Sequence, residues 1–225
     1  MNSVPRIVLL NPNTDRKVTR MMVEVASETL GTEFELDGRT VPFGSPIVTT
    51  PASLADAARH VVRTVKTLKN EAFSAIIISG FGDPGLGELK GMLSIPAVGI
   101  AEASMAEAAY GGRRFSIVTT TPHLKSSIED TAARYGHAAL LASVRITPGD
   151  AEETMADPLF LQCALLDACR IAHEKDGAEA IVIGGGPLAI SARAIAAEVP
   201  VPLIEPVEAG ARLAVSRIRS CNQRS

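Results

Sequence analysis

Chemistry in this chain has to come from a few ionisable and polar residues set beside glycine-rich turns. Asp83 lies in Phe81-Gly82-Asp83-Pro84-Gly85-Leu86. A carboxylate there serves as a general base or water activator, or else as a turn or helix cap ahead of Pro84. His123 follows Thr119-Thr120-Thr121-Pro122. Its titration range suits proton transfer near neutral pH, and the alternative is an ordinary first-turn histidine. Glu102 and Glu205 each follow a short apolar run. Either could meet a substrate hydroxyl or amide, or favour the positive end of a helix by about 0.3–1 kcal/mol. For Glu102 the expected role is to hold its loop rather than to move a proton.

Binding needs short polar groups and accessible backbone. Asn11, Asn13, Thr119 and Thr120 supply the former, and the amides of Gly80, Phe81, Gly185 and Gly186 supply the latter. Phe43 is placed either as an apolar wall or as an ordinary core or loop aromatic. His60, His137 and His173 fall on helices or their flanks and read as structural. The three cysteines, Cys163, Cys169 and Cys221, form no CxxC and no ligand cluster, so no metal site is expected. No Walker loop or dinucleotide fingerprint is present, and no cofactor is expected. Gly184-Gly185-Gly186 is a poor phosphate cradle because Pro187 lacks an amide donor.

Short apolar runs alternate with helical periodicity along the chain. Arg6 to Leu10, Ala75 to Ser79, Phe115 to Val118 and Ala180 to Ile183 read as strands. Asn13 to Leu30, Ser53 to Leu68, Asp157 to His173 and Val207 to Arg217 read as helices. The pattern recurs. Ala75-Ile76-Ile77-Ile78-Ser79-Gly80 resembles Ala180-Ile181-Val182-Ile183-Gly184-Gly185, and Ile95-Pro96-Ala97-Val98 resembles Val199-Pro200-Val201-Pro202. Ile7 to Leu10 likewise matches Phe115 to Val118, and all three pairs are offset by 104 to 109 residues. A nearly constant offset implies internal duplication. The fold class is therefore α/β, with two pseudo-symmetric lobes that each carry a parallel sheet flanked by helices. We place the first lobe at residues 1–105 with 207–225 and the second at 106–206. Ligands of parallel sheets collect at strand carboxyl ends, so the post-strand loops of the two lobes are expected to converge on one interlobe cleft.

Composition narrows the partners. The chain has 225 residues, 46% hydrophobic and 21% charged, with a net charge of −3. No basic field for nucleic acid exists, and no apolar run reaches the roughly eighteen residues of a membrane span. We expect a cytoplasmic protein with a small-molecule carboxylate or cyclic amide as partner, no nucleic acid and no membrane. The charged tail from Arg217 to Ser225 reads as a frayed helix end.

Asn11-Pro12-Asn13-Thr14, Phe81-Gly82-Asp83-Pro84-Gly85-Leu86 and Val98-Gly99-Ile100-Ala101-Glu102-Ala103 resemble motifs of the hydantoin and allantoin racemases in the aspartate/glutamate racemase superfamily. Val118-Thr119-Thr120-Thr121 and Val201-Pro202-Leu203-Ile204-Glu205-Pro206-Val207 resemble that family's second-lobe motifs. The resemblance implies an interlobe active site, cofactor-free catalysis and a homo-oligomer. It also implies two cysteines flanking the substrate carbon, one removing a proton and the other returning it. At those positions this chain has Gly80 and Gly185. Two-thiol racemisation is therefore expected to be absent. The expectation is a divergent lyase, decarboxylase or hydrolase, with Asp83 and His123 as the remaining candidate catalytic groups. Alternatives are an ordinary racemase and a non-catalytic small-acid-binding relative.

Overall fold

Four buried aliphatic residues, Ile7-Val8-Leu9-Leu10, make a strand that survives only with both faces covered, and helices provide that cover. The computed structural model describes residues 4–68 and 71–223. Its contacts divide into two compact units. One comprises Met1–Val48, Ala52–Ala103 and Val207–Ser225; the other comprises Thr49–Pro51 and Ser104–Pro206.

The first unit holds β1 (Arg6–Asn11), α1 (Arg16–Leu30), β2 (Glu35–Thr40), α2 (Pro51–Thr67), β3 (Ala75–Ile78), α3 (Leu86–Met92) and β4 (Ala97–Gly99). Helix α4 (Ile100–Ala108) follows β4 directly. The sheet order is β2-β1-β3-β4, with every pairing parallel. Its core joins Val8, Leu10, Ile76 and Ile78 to Val61, Val62 and Val65 of α2 and to Leu86 and Leu89 of α3.

The second unit holds β5 (Phe115–Thr119), α5 (Lys125–Arg134), β6 (Leu141–Ile146), α6 (Ala151–Ala156), α7 (Pro158–Asp176), β7 (Ala180–Ile183), α8 (Ala189–Ile195) and β8 (Leu203–Ile204). Its order, β6-β5-β7-β8, repeats the first. Leu161, Leu165, Ala168 and Cys169 of α7 pack with Val118, Ile181 and Ile183. Helix α9 (Pro206–Asn222) closes the chain.

Strands β2 and β6 are among the elements outside the sequence expectation, as are helices α3, α5, α6 and α8. Neither strand has an apolar run, because each is a sheet edge with only partial burial. They start 106 residues apart, which adds a fourth pair to the duplication. The tail also differs from the expected fraying: α9 continues to Asn222, held where Arg217 bonds Ala97 O at 2.9 Å. Ser225 and its neighbour at 224 lie outside the described residues.

Candidate functional site

In the order β2-β1-β3-β4 the chain steps from β1 to β2 on one side and then returns to lay β3 on the other. The loops after β1 and β3 therefore diverge, and such a switch point opens a crevice at the strand carboxyl ends. The same holds for β5 and β7 in the second unit.

The loop after β1 is a built polar cluster. Asn11 Nδ2 donates to Asn13 Oδ1 at 2.8 Å, to Asp15 O at 3.0 Å and to Thr19 Oγ1 at 3.0 Å. Asn11 Oδ1 accepts from the Asn13 amide at 3.1 Å, so the Asn11 side chain is fully committed within the loop. Asn13 Oδ1 also accepts from the Asp15 amide at 2.9 Å. Both bonds engage the oxygen, which fixes the flip of the Asn13 amide and leaves its NH2 group as a donor without a partner among the described residues. Asn13 is only 6% exposed as a residue, and its unpaired Nδ2 keeps some solvent contact, since Arg6 Nε is the one fully buried side-chain polar atom without a partner among the described residues.

After β3, Gly80 lies against the Pro12 ring. A Cβ on Gly80 would overlap Pro12 Cγ and stand 3.4 Å from Pro84 Cδ. Phe81 is half-buried. Asp83, 4% exposed, has a left-handed backbone with φ of 54°. Its carboxylate accepts from the Ala101 amide at 2.9 Å and from the Glu102 amide at 2.7 Å, at the start of α4. Both oxygens thus satisfy orphan helix donors. The loop after β2 joins the cluster through Thr14 N–H to Ser45 O at 3.1 Å. Phe43 sits in that loop with 61% exposure, tilted against His60 at 6.4 Å between ring centroids.

In the second unit, Thr119 Oγ1 donates to Gly184 O at 2.7 Å and Gly184 N–H donates to Val118 O at 2.7 Å. These bonds bind the loops after β5 and β7 together. Thr120 is 2% exposed, and its hydroxyl has no partner among the described residues. Gly186 is buried, whereas Gly185 is partly open. A Cβ on Gly185 would stand 3.2 Å from the Leu188 side chain, a contact that a rotating leucine can relieve. His123 is exposed in the turn at Pro122–Leu124.

The remaining titratable groups are held structurally. Glu102 loses hydration by burial, which raises its pKa. Hydrogen bonds from Arg217 (2.5 Å) and Lys90 (2.7 Å) outweigh that and hold the carboxyl below its ordinary value. Glu205 is buried. His137 meets Phe115 edge-on, and burial lowers its pKa. His173 Nδ1 lies 2.9 Å from Ala178 O. Cys163 and Cys221 are exposed, whereas burial pushes the Cys169 thiol up to about 12. Among the described residues, no three His, Cys, Asp or Glu side chains gather to hold a metal ion. No helix among them is long and apolar enough to cross a membrane.

Sequence reasoning missed how fully Asn11 and Asp83 are used. For Asn11 the signal available was local: Asn-x-Asn-x-Asp spacing favours side-chain-to-backbone turns, which consume the groups they use; for Asp83, bonded 18 and 19 residues away, no local signal existed.

Two α/β units of one topology, with small polar residues concentrated at the strand ends, define a protein of two repeated parallel-sheet units. More narrowly, the chain belongs to the Asp/Glu/hydantoin racemase family, whose profile it matches over residues 7–214. It is 29% identical to the hydantoin racemase of Paenarthrobacter aurescens, over 95% of this chain and 91% of that protein. It is 30% identical to the hydantoin racemase of Rhizobium meliloti, over 92% of this chain and 86% of that one. The crystal structure of allantoin racemase from Pseudomonas fluorescens superimposes with a TM-score of 0.91 at 30% identity, covering 96% of this chain and 92% of the other.

Proposed function

We propose that this family member is a cofactor-independent enzyme acting on a small carboxylate or cyclic amide by a reaction that does not pass through two thiols. The observation that carries this is the pair Gly80 and Gly185, which on the motif resemblance stand where the family's acid and base cysteines stand. A glycine carries no proton, and Pro12 already fills the side-chain space at Gly80. Cys169 is sealed in the core, and Cys163 and Cys221 are exposed on α7 and α9.

The groups that remain favour an acceptor-rich ligand. The Asn13 amide and the Thr120 hydroxyl are nearly buried donors, suited to a carbonyl or carboxylate oxygen. Loss of carbon dioxide from an activated carboxylate is the reaction that donors of this kind favour most. The carbon–carboxylate bond breaks, its electron pair passes to the adjacent carbonyl as an enolate, and water returns a proton to carbon. That sequence needs stabilisation of an oxyanion and no base. Ring-amide hydrolysis is the second course, supported by the same donors at a carbonyl oxygen and requiring a positioned water. Asp83, with both oxygens on α4 amides, is assigned a positioning role, and His123 is the exposed candidate for proton delivery.

The test is turnover of hydantoins, allantoin, arylmalonates and dicarboxylates in deuterium oxide. Product with one solvent deuteron and released carbon dioxide, or an opened ring, supports the proposal. Deuterium exchange at the α-carbon with inversion and no bond cleavage overturns it in favour of a racemase. Ligand-induced thermal stabilisation without any turnover overturns it in favour of a binding protein.

A further inference from the structure

The second unit ends its edge strand on a hydroxyl that the fold does not use. Thr147 directly follows β6 and is 3% exposed, and its Oγ1 has no hydrogen-bond partner among the described residues. That oxygen is not sealed, because among those residues only Arg6 Nε is both wholly buried and unpartnered. The duplication supplies a comparison. Val41 follows β2 as Thr147 follows β6: Val41 N–H donates to Asn11 O at 3.1 Å, and Thr147 N–H donates to Thr119 O at 2.9 Å. Val41 is 2% exposed and packs into the apolar core of the first unit. Valine and threonine differ little in shape, and a covered hydroxyl without a hydrogen bond costs stability. This position therefore folds without a hydroxyl in one unit and carries one in the other.

The neighbouring strand repeats the contrast. Thr119 pairs with Ile146 in the parallel β5–β6 ladder, and the bond from Thr147 N–H carries that register one step further, which sets Thr147 beside Thr120. Paired positions on adjacent strands lie about 4.8 Å apart and present their side chains on one face. The Thr120 hydroxyl is unpartnered as well, on a residue that is also buried. At the two matching positions the first unit has Pro12 and Val41, whose side chains hold no polar atom. Two uncommitted hydroxyls thus stand side by side at the strand carboxyl ends of the second unit alone.

We propose that Thr147 binds substrate together with Thr120, each hydroxyl donating to one oxygen of the same carboxylate. The inference rests on the acceptor-rich ligand of the proposed function and narrows it to a carboxylate seated on the second unit. A carboxylate accepts at both of its oxygens, and hydrogen bonds to an ionised acceptor are stronger than those to a neutral carbonyl. When carbon dioxide leaves, the electron pair arrives on the carboxylate that stays with the product, so these two donors meet negative charge as it develops. The loop beyond Thr147 is held in place. Thr154 N–H donates to Asp150 O at 2.9 Å, and the Asp150 carboxylate accepts from the Glu152 and Glu153 amides at 2.8 and 3.2 Å. Such support keeps a binding hydroxyl in position before the ligand arrives.

The test is titration calorimetry on the full chain with two probes, beside thermal melting. One probe is phenylacetate, whose single carboxylate is not activated for loss of carbon dioxide, and the other is hydantoin. Thr147→Val should weaken phenylacetate binding about tenfold or more, while its melting temperature holds or rises because the fold gives that hydroxyl no partner. Thr147→Ser keeps the hydroxyl and should keep most of the affinity. A threonine serving the fold alone would not lose affinity while stability holds. Phenylacetate affinity that is unchanged in Thr147→Val, or that falls only in step with melting temperature, overturns the proposal and leaves the proposed function standing. A loss confined to hydantoin also overturns it, since the pair then serves a ring amide. If the unaltered chain binds neither probe, the acceptor-rich reading of the site fails, and this inference fails with it.

Discussion

The carboxylate of Asp83 occupies the space where a side chain on Gly99 would stand. A Cβ built on Gly99 overlaps Cγ and both carboxylate oxygens of Asp83. That overlap explains why a glycine must precede α4, where Asp83, from a left-handed backbone, places its carboxylate on the Ala101 and Glu102 amides. Gly99→Ala should expel the cap and cost about 1–3 kcal/mol, measured by chemical denaturation. Asp83→Ala should cost a similar amount. The double variant should lose clearly less than the sum, because the two changes remove one arrangement. Full additivity would disprove the coupling.

The Glu102–Arg217 pair ties the last helix to the first unit, with Lys90 as a second cation. The folded protein holds this carboxyl below its ordinary value of 4.5. Its contribution is therefore complete above the unfolded value and disappears as pH falls through the lower folded one. Glu102→Gln should flatten the acid limb of the stability–pH curve below about pH 5 and leave its slope near pH 8 unchanged. Urea midpoints across pH 3 to 8 provide the measurement.

Thiol titration should separate the three cysteines. Cys163 and Cys221 are exposed and should react with a disulfide reagent in the native state. Cys169, buried with its pKa near 12, should react only after denaturant is added. Three fast thiols in the native protein would contradict the buried placement of Cys169 in the second core.

Restoring cysteine at the two glycines should give unequal results. Gly80→Cys drives its Cβ into the Pro12 ring and should destabilise by about 1–3 kcal/mol. Gly185→Cys meets only the tip of Leu188, on a backbone with φ of 165° that any residue adopts, and should be nearly neutral. Melting temperatures of the two variants decide this. Equal losses would mean that Pro12 yields as easily as a leucine.

Asn13 tests the orientation of the loop after β1. Asn13→Asp replaces an outward NH2 by an acceptor, while its other oxygen still receives the Asn11 and Asp15 donors. Affinity for an anionic or carbonyl ligand should fall at least tenfold with little change in melting temperature, by titration calorimetry. A large stability loss with unchanged affinity would assign Asn13 to the fold alone.

The sequence by itself determined the duplication, the central strands and the helices that cover them. Ile7 to Leu10, Ala75 to Ile78, Phe115 to Val118 and Ala180 to Ile183 bury both faces, so their composition alone names them. It also determined which residue types stand at the strand ends, including the two glycines. The edge strands β2 and β6 were illegible because half-exposed strands tolerate Asp37, Arg39 and Arg145, and charge hides the pattern. Tertiary structure alone decided how polar groups are used. Asn11 and Asn13 are the same residue two positions apart, yet one is consumed by its neighbours and the other keeps an unpaired, solvent-touched donor. Asp83 read as a candidate catalytic group and Glu102 as a loop holder, but which partners each carboxylate has was decided only when packing brought α4 amides to the first and Arg217 to the second. Hydrogen bonds across 18 and 115 residues depend on where folding brings distant segments, and no local pattern encodes that.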